Sequence, residues 1–196
     1  MTMQDTVKLK DGTEVLIRDM TPEDVDRSLV FFQALPEEDT VFLRRPIKNR
    51  DAVVRRIKTI EAGTAERLVA IVGDRIVADG ALEHDPDGWR EHVGEIRLIV
   101  AHDFQGKGLG RLMAFELYKL ANRAKVEEII VKIMGPQKGV RKMFEKLGFH
   151  HEAELHDFVK DLSGVRHDLI LMRCKLQELW QRMESQILAS DWRPQY

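Results

Sequence analysis

The stretch Val100–Leu117, VAHDFQGKGLGRLMAFEL, decides how this chain is read. It sets Gly106, Gly108 and Gly110 within five positions and then runs into helix-forming residues. Glycine costs about 1 kcal/mol relative to alanine inside a helix, so three of them at a helix start need a physical reason. The first N–H groups of a helix have no internal partners and sit at the positive end of its dipole. Glycines remove side chains and allow unusual dihedrals, so the backbone can close around an anion. The stretch therefore predicts a phosphate or pyrophosphate cradle. It is not the G-x-x-x-x-G-K-[ST] phosphate loop, because "QGKGLGRL" lacks that spacing and its Ser/Thr. Nor is it the dinucleotide fingerprint G-x-G-x-x-G, since the spacing here is G-x-G-x-G.

The surroundings alternate between strand and helix patterns. Upstream, "GEIRLIVA" (94–101) reads as a strand, and "RLVAIVGDRIVADGALEHD" (67–85) as two strands around a tight turn at Gly73-Asp74. Further up, "VKLKDGTEVLIRDM" signals a hairpin about Asp11-Gly12. "TPEDVDRSLVFFQAL" predicts a helix with Thr21 as N-cap and Pro22, Glu23 and Asp24 in its first turn. A second helix is expected from Asp51 to about Glu61, stopped by Gly63. Downstream of the glycines a helix runs to about Ala124. "EEIIVKIM" then reads as a buried strand and "KGVRKMFEKL" as a helix ending at Gly148. Strands at about Phe149–Lys160 and Arg166–Cys174 flank Ser163-Gly164. The tail "KLQELWQRMESQIL" puts Leu176, Leu179, Trp180, Met183 and Ile187 on one helical stripe, for packing on its own domain or for a homodimer contact. No linker or repeat divides the chain. The order predicts one α/β domain over 1–196, with a mixed sheet and helices on both faces. Its core covers about 13–174, with an amphipathic C-terminal helix at about 175–189.

Composition excludes several classes. The 196 residues are 43% apolar and 33% charged with a net charge of −2, ordinary for a globular protein and without a nucleic-acid-binding charge footprint. The basic stretch "LRRPIKNR" reads as a solvated face. No apolar run is long enough for a membrane span, and the first residues lack the apolar core of a signal peptide. The single cysteine, Cys174 in "LILMRCKL", cannot form an intrachain disulfide and reads as a buried hydrophobe. A cytoplasmic enzyme or binding domain is expected. The seven histidines show no metal-ligand spacing; "HHEAELH" on a strand is not the i, i+4 helical pair of a zincin, so no metal is expected.

The glycine stretch resembles the hallmark of the GNAT N-acetyltransferases, [Q/R]-x-x-G-x-[G/A] after an apolar strand. Gln105, Gly108 and Gly110 fill its positions and Phe104 the aromatic place before them. "IIVKIMGPQKGVRKMFEKLGF" looks like the family's next strand and helix, ending in its Gly-Phe pair, here Gly148-Phe149. The likeness is good over roughly Arg67–Met172 and weaker in motif over the N-terminal third. It implies a mixed, mostly antiparallel sheet whose central parallel strands, "EIRLIVA" and "IIVKIM", splay apart around acetyl-CoA as cosubstrate. The backbone of Leu98, Ile99 and Val100 would pair with the pantetheine arm and point an N–H at the thioester carbonyl. Amides of Gly106, Lys107, Gly108, Leu109, Gly110 and Arg111 would hold the pyrophosphate. Gln137 fills a family asparagine position.

The implied reaction is attack of an amine on the acetyl thioester. An alkyl ammonium of pKa about 10.4 is only about four parts in ten thousand neutral at pH 7, a deficit of about 4.6 kcal/mol that a general base addresses. Glu95 takes the place where many GNAT enzymes carry that base, and apolar strand surroundings would raise its proton affinity. Glu83 and His84 are the alternatives for base or substrate contact; the bland account of all three is an ordinary polar strand residue. Phe144 stands where many members have a tyrosine that protonates the leaving thiolate. Phenylalanine cannot donate a proton, so that role does not carry over and water would serve a leaving group of pKa about 8.5. "GEIRLIVAHDFQGKGLGRLM" and the start "IRDMTPEDVDRSLVFFQALPEEDTVFLRR" most resemble the bacterial protein lysine acetyltransferases of the Pat group. The acceptor is thus expected to be a protein lysine, with a small amine, or a CoA-binding module of little catalysis, as the alternatives.

Overall fold

The structure, a computed structural model, describes residues 4–43 and 47–178. Eight strands form one sheet: β1 (Gln4–Lys8), β2 (Glu14–Asp19), β3 (Ala65–Val72), β4 (Arg75–His84), β5 (Val93–Val100), β6 (Glu128–Met134), β7 (His150–Lys160) and β8 (Arg166–Lys175). Their spatial order is β1-β2-β3-β4-β5-β6-β8-β7. Five helices lie wholly among the described residues: α1 (Val25–Ala34), α2 (Glu37–Thr40), α3 (Arg50–Glu61), α4 (Leu109–Arg123) and α5 (Lys138–Lys146). The helix expected at Thr21 begins as a single 3-10 turn, Pro22–Asp24, whose Asp24 carboxylate accepts from the Thr21 backbone N–H at 2.9 Å. The short α2 falls in "PEEDT", a stretch with no apolar period to announce it. The C-terminal stripe from Leu179 to Ile187, and the centre of the basic stretch at 44–46, lie outside the described residues.

All neighbouring strands are antiparallel except β5 and β6. That parallel pair is short: Val93↔Glu128, Gly94↔Ile129 and Glu95↔Ile130. Beyond Glu95, β5 stays on β4 as far as Val100, and beyond Ile130, β6 stays on β8 as far as Met134. Each strand keeps its antiparallel partner and the two halves of the sheet part between them. The expected splayed pair is therefore present.

Successive residues of a strand face opposite sides, and β4 shows what covers each. A Cβ at Gly80 would lie 3.1 Å from both Leu117 Cδ1 and Met113 Cε of α4, so α4 lies closely on this face. The neighbouring Asp79 is ion-paired with Arg56 of α3 on the other face. Leu109, Met113, Leu117 and Tyr118 of α4 are fully buried, which fixes that face of the helix on the sheet. Phe32 of α1 and Val53 of α3 close the core on the opposite side. Among the described residues no helix is long and apolar enough to cross a membrane.

Candidate active site

The glycine stretch forms the turn between β5 and α4. Gly106 has φ +72° and Gly108, the residue capping α4, has φ +94°. Both lie in the left-handed region that favours glycine. The helix ladder starts with Arg111 and Leu112, whose N–H groups donate to Gly108 O at 3.1 and 3.2 Å. The amides of Leu109 and Gly110 precede that ladder at the positive end of the helix. A Cβ at Gly110 would sit 3.3 Å from Met143 Sδ of α5 and 3.7 Å from Val100 Cγ2. Gly110 thus lets α4, α5 and the end of β5 meet at one point.

Two side chains, those of Gln105 and Lys107, brace this turn. Gln105 Nε2 donates to both Asp39 oxygens (3.2 and 3.3 Å) and to Val100 O at 3.2 Å. Lys107 Nζ lies 3.0 Å from Asp11 Oδ2 and 5.0 Å from the centre of the Phe104 ring. Hydrogen bonds from Thr13, then from Lys107, lower the Asp11 pKa to about 2. The β1–β2 turn therefore leans on the glycine turn, a contact between residues almost a hundred positions apart.

Leu98, Ile99 and Val100 pair with Gly80, Asp79 and Ala78 on one side, while their other edge faces the gap left by β6. Leu98 and Val100 side chains turn toward Gly110. Gln137 caps α5, and its Oε1 accepts from Met134 N at 3.0 Å, closing off the end of β6. Phe144 is buried, its ring 5.0 Å from that of Phe149 in an edge-on contact.

Glu95 occupies the last paired position before the strands part, with its side chain 14% exposed. Its surroundings are charged rather than apolar. Lys132 Nζ of β6 donates to Glu95 Oε2 at 2.8 Å, and Arg97 Nε lies 3.8 Å from Glu95 Oε1. Arg97 also pairs with Glu83 at 2.7 Å, and Glu83 with the buried Arg67 at 3.1 Å. Burial, with Arg56 nearby, lowers the Arg67 pKa to about 10. By strand alternation this ladder lies on the face opposite α4. Sequence reasoning found Glu95 and Glu83 but missed Arg97 and Lys132, which carry no motif. His84, at the end of β4, donates its backbone N–H to Thr64 O.

Two segments meet on that same side. Leu162 N, in the β7–β8 turn, donates to Val41 O just past α2 at 2.9 Å, and the Phe42 ring stands edge-on to His167 at 5.9 Å. Asp161 organises the turn: it accepts from Ser163 N, Ser163 Oγ and Val165 N and lies 2.7 Å from His167 Nε2. The Ser163 hydroxyl, then His167, hold the Asp161 pKa down at about 2. At the open end of β6, a cavity of about 650 Å³ includes Gly135, Pro136, Lys138 and Lys142. Glu154, His156 and Asp168 also bring possible ligand atoms within 4.8 Å of one another, by strand alternation and a cross-strand contact that helical spacing does not reveal. His156 and Glu154 are exposed there and His156 is already 3.4 Å from Asp168.

Residues 31–149 match the model of the acetyltransferase (GNAT) family. The chain belongs to the GNAT family. GNAT enzymes use acetyl-CoA as cosubstrate. The GNAT domain of S. lividans PAT superposes with a TM-score of 0.73, at 17% identity, over 88% of this chain and 96% of that domain. A ribosomal-protein-S5-alanine acetyltransferase from Vibrio fischeri superposes with a TM-score of 0.74, at 14% identity, over 97% and 100% of the two chains. The protein yncA of Salmonella typhimurium, solved with acetyl-CoA, does so with 0.71, at 18% identity, over 83% and 94%. At these identities the likeness shows the fold. No curated protein matches the sequence.

Proposed function

We propose that this GNAT enzyme transfers the acetyl group of acetyl-CoA to the ε-amine of a protein lysine in the cytoplasm, with Glu95 as general base. One observation carries the reading: a carboxylate stands at the fork where β5 and β6 part, on the face opposite α4. The cradle from Gly106 to Gly110 binds the pyrophosphate, since the Arg111 N–H already donates to Gly108 O, and the edge at Leu98–Val100 facing the gap aligns the pantetheine arm and its thioester. The acceptor then arrives from the α1–α2 side as an ammonium. It displaces Lys132 from Glu95, gives its proton to the carboxylate, and attacks the carbonyl as a neutral amine. The thiolate of CoA leaves and takes its proton from water, because Phe144 has none to give, while the nitrogen sheds its second proton to solvent.

The lysine acceptor and the kinship with the Pat group rest on the sequence pattern around Glu95 and the glycines. Among similar folds stand the GNAT domain of S. lividans PAT, a spermidine N-acetyltransferase and a ribosomal-protein alanine acetyltransferase, so the fold itself does not choose the acceptor. The test measures thiol release from acetyl-CoA with lysine peptides and with small amines. Turnover on peptides, lost in Glu95→Gln, is the expected result. Turnover confined to spermidine or an amino sugar would overturn the acceptor, and full activity of Glu95→Gln would overturn the base.

A further inference from the structure

Resting on that reading, we infer that Lys132 is itself an acetyl acceptor: the enzyme acetylates its own β6 lysine at the fork. Its amine is already where the mechanism requires one, 2.8 Å from the carboxylate assigned as base, with its side chain 31% exposed. The register supports reach toward the thioester. The last shared pair, Glu95↔Ile130, puts Lys132 two residues past the fork on β6, as Arg97 is on β5. Its amine is folded back to Glu95, two residues behind. Two strand residues span about 6.6 Å, and the flexible four-carbon stem of lysine covers such a swing. The parted strands leave the space on the β5 side of Lys132 without a strand partner.

The chemistry balances without a further reactant. The Lys132 ammonium gives one proton to Glu95, and the Nζ lone pair forms a bond to the thioester carbonyl carbon. The C–S bond breaks, the nitrogen loses its second proton, and CoA leaves as the thiol. One proton passes from Glu95 to solvent. The product amide carries no charge, so Lys132 ceases to hold Glu95 by an ion pair.

The experiment incubates the purified full chain with acetyl-CoA and no other amine, then reads intact mass and maps the acetylated peptides. One acetyl group per chain at Lys132 is expected, forming at least ten times faster than at the helix lysines Lys138 and Lys142. Glu95→Gln should slow it at least ten-fold. Lys132→Arg keeps the ion pair and should abolish the mark, because a guanidinium stays protonated. Lys132 left unmodified by an enzyme that does acetylate an added amine would overturn the inference and leave the proposed function intact. Acetylation spread evenly over surface lysines and indifferent to Glu95→Gln would overturn it too, as plain chemical reaction. No transfer to Lys132 or to any added amine would overturn both.

Discussion

Gln105 ties Asp39 to the end of β5: its side-chain amide donates to both Asp39 oxygens and to Val100 O. Asp39 also lies 3.3 Å from His102 Nδ1, so α2 is fastened to both ends of the turn that opens the glycine stretch. The motif glutamine thus sets the shape of the anion cradle, where its side chain braces α2 and the strand end. Replacing it by alanine removes three acceptor contacts, and we expect acetyl-CoA to bind several-fold more weakly in calorimetry. The accompanying loss of stability is about 1 kcal/mol. Gln105→Glu should be worse, because it sets like charges together. Unchanged affinity in both variants would refute the bracing role.

Gly108→Ala should cost about 1–2 kcal/mol of stability, since φ is +94° and an L residue is strained there. Acetyl-CoA affinity should fall about ten-fold with it, a loss of about 1.4 kcal/mol. Gly139→Ala is the matching control. It lies in α5, with nothing within 4 Å of a new Cβ, and should gain about 0.5 kcal/mol in thermal unfolding. Equal effects at the two positions would contradict the dihedral argument.

Glu95→Gln keeps the shape at the fork and removes the base. Loss of a general base costs about 10²–10⁴-fold in turnover, so kcat should fall by that range while acetyl-CoA affinity holds. Steady-state kinetics with a saturating amine checks both halves of this expectation.

The Asp161 turn gives a pH dependence with a defined sign. Its folded pKa is about 2 against an ordinary 3.8, because Ser163 and His167 bond the ionised form. A depressed carboxyl stabilises the fold above its unfolded pKa, and that contribution fades as pH falls from about 4 to 2. Asp161→Asn should therefore lower the melting temperature at neutral pH and converge with the wild type near pH 2. Hydrogen exchange at Leu162, whose N–H donates to Val41 O, should quicken in the variant at neutral pH. A difference in melting temperature that persists undiminished at low pH would rule out the titration.

Much of the fold was legible because its determinants are local. Gly73-Asp74 and Asp11-Gly12 mark turns by their dihedral needs, and the helix and strand periods between them agree with the elements observed. Edge strand β7 shows how far periodicity reaches. It is almost wholly exposed, with Phe158 and Leu155 open to solvent, and only its glycine-marked boundaries made it readable. Of the candidate site, the residues carrying a motif were readable: the glycines, Gln105 and Glu95. The short α2 and the ladder Arg67–Glu83–Arg97 were not, because neither has a period or a spacing rule.

By itself the sequence determined the order of elements, the left-handed cap on α4 and a carboxylate on the strand before it, since each follows from bonding within a few residues. Only the tertiary structure decided how the charges pair and where the sheet parts. Lys132 meets Glu95 across 37 positions and Gln105 meets Asp39 across 66. Such partners are chosen by strand order and by the faces the helices cover. They form once β5 and β6, each held by its own antiparallel neighbour, diverge beyond their shared register.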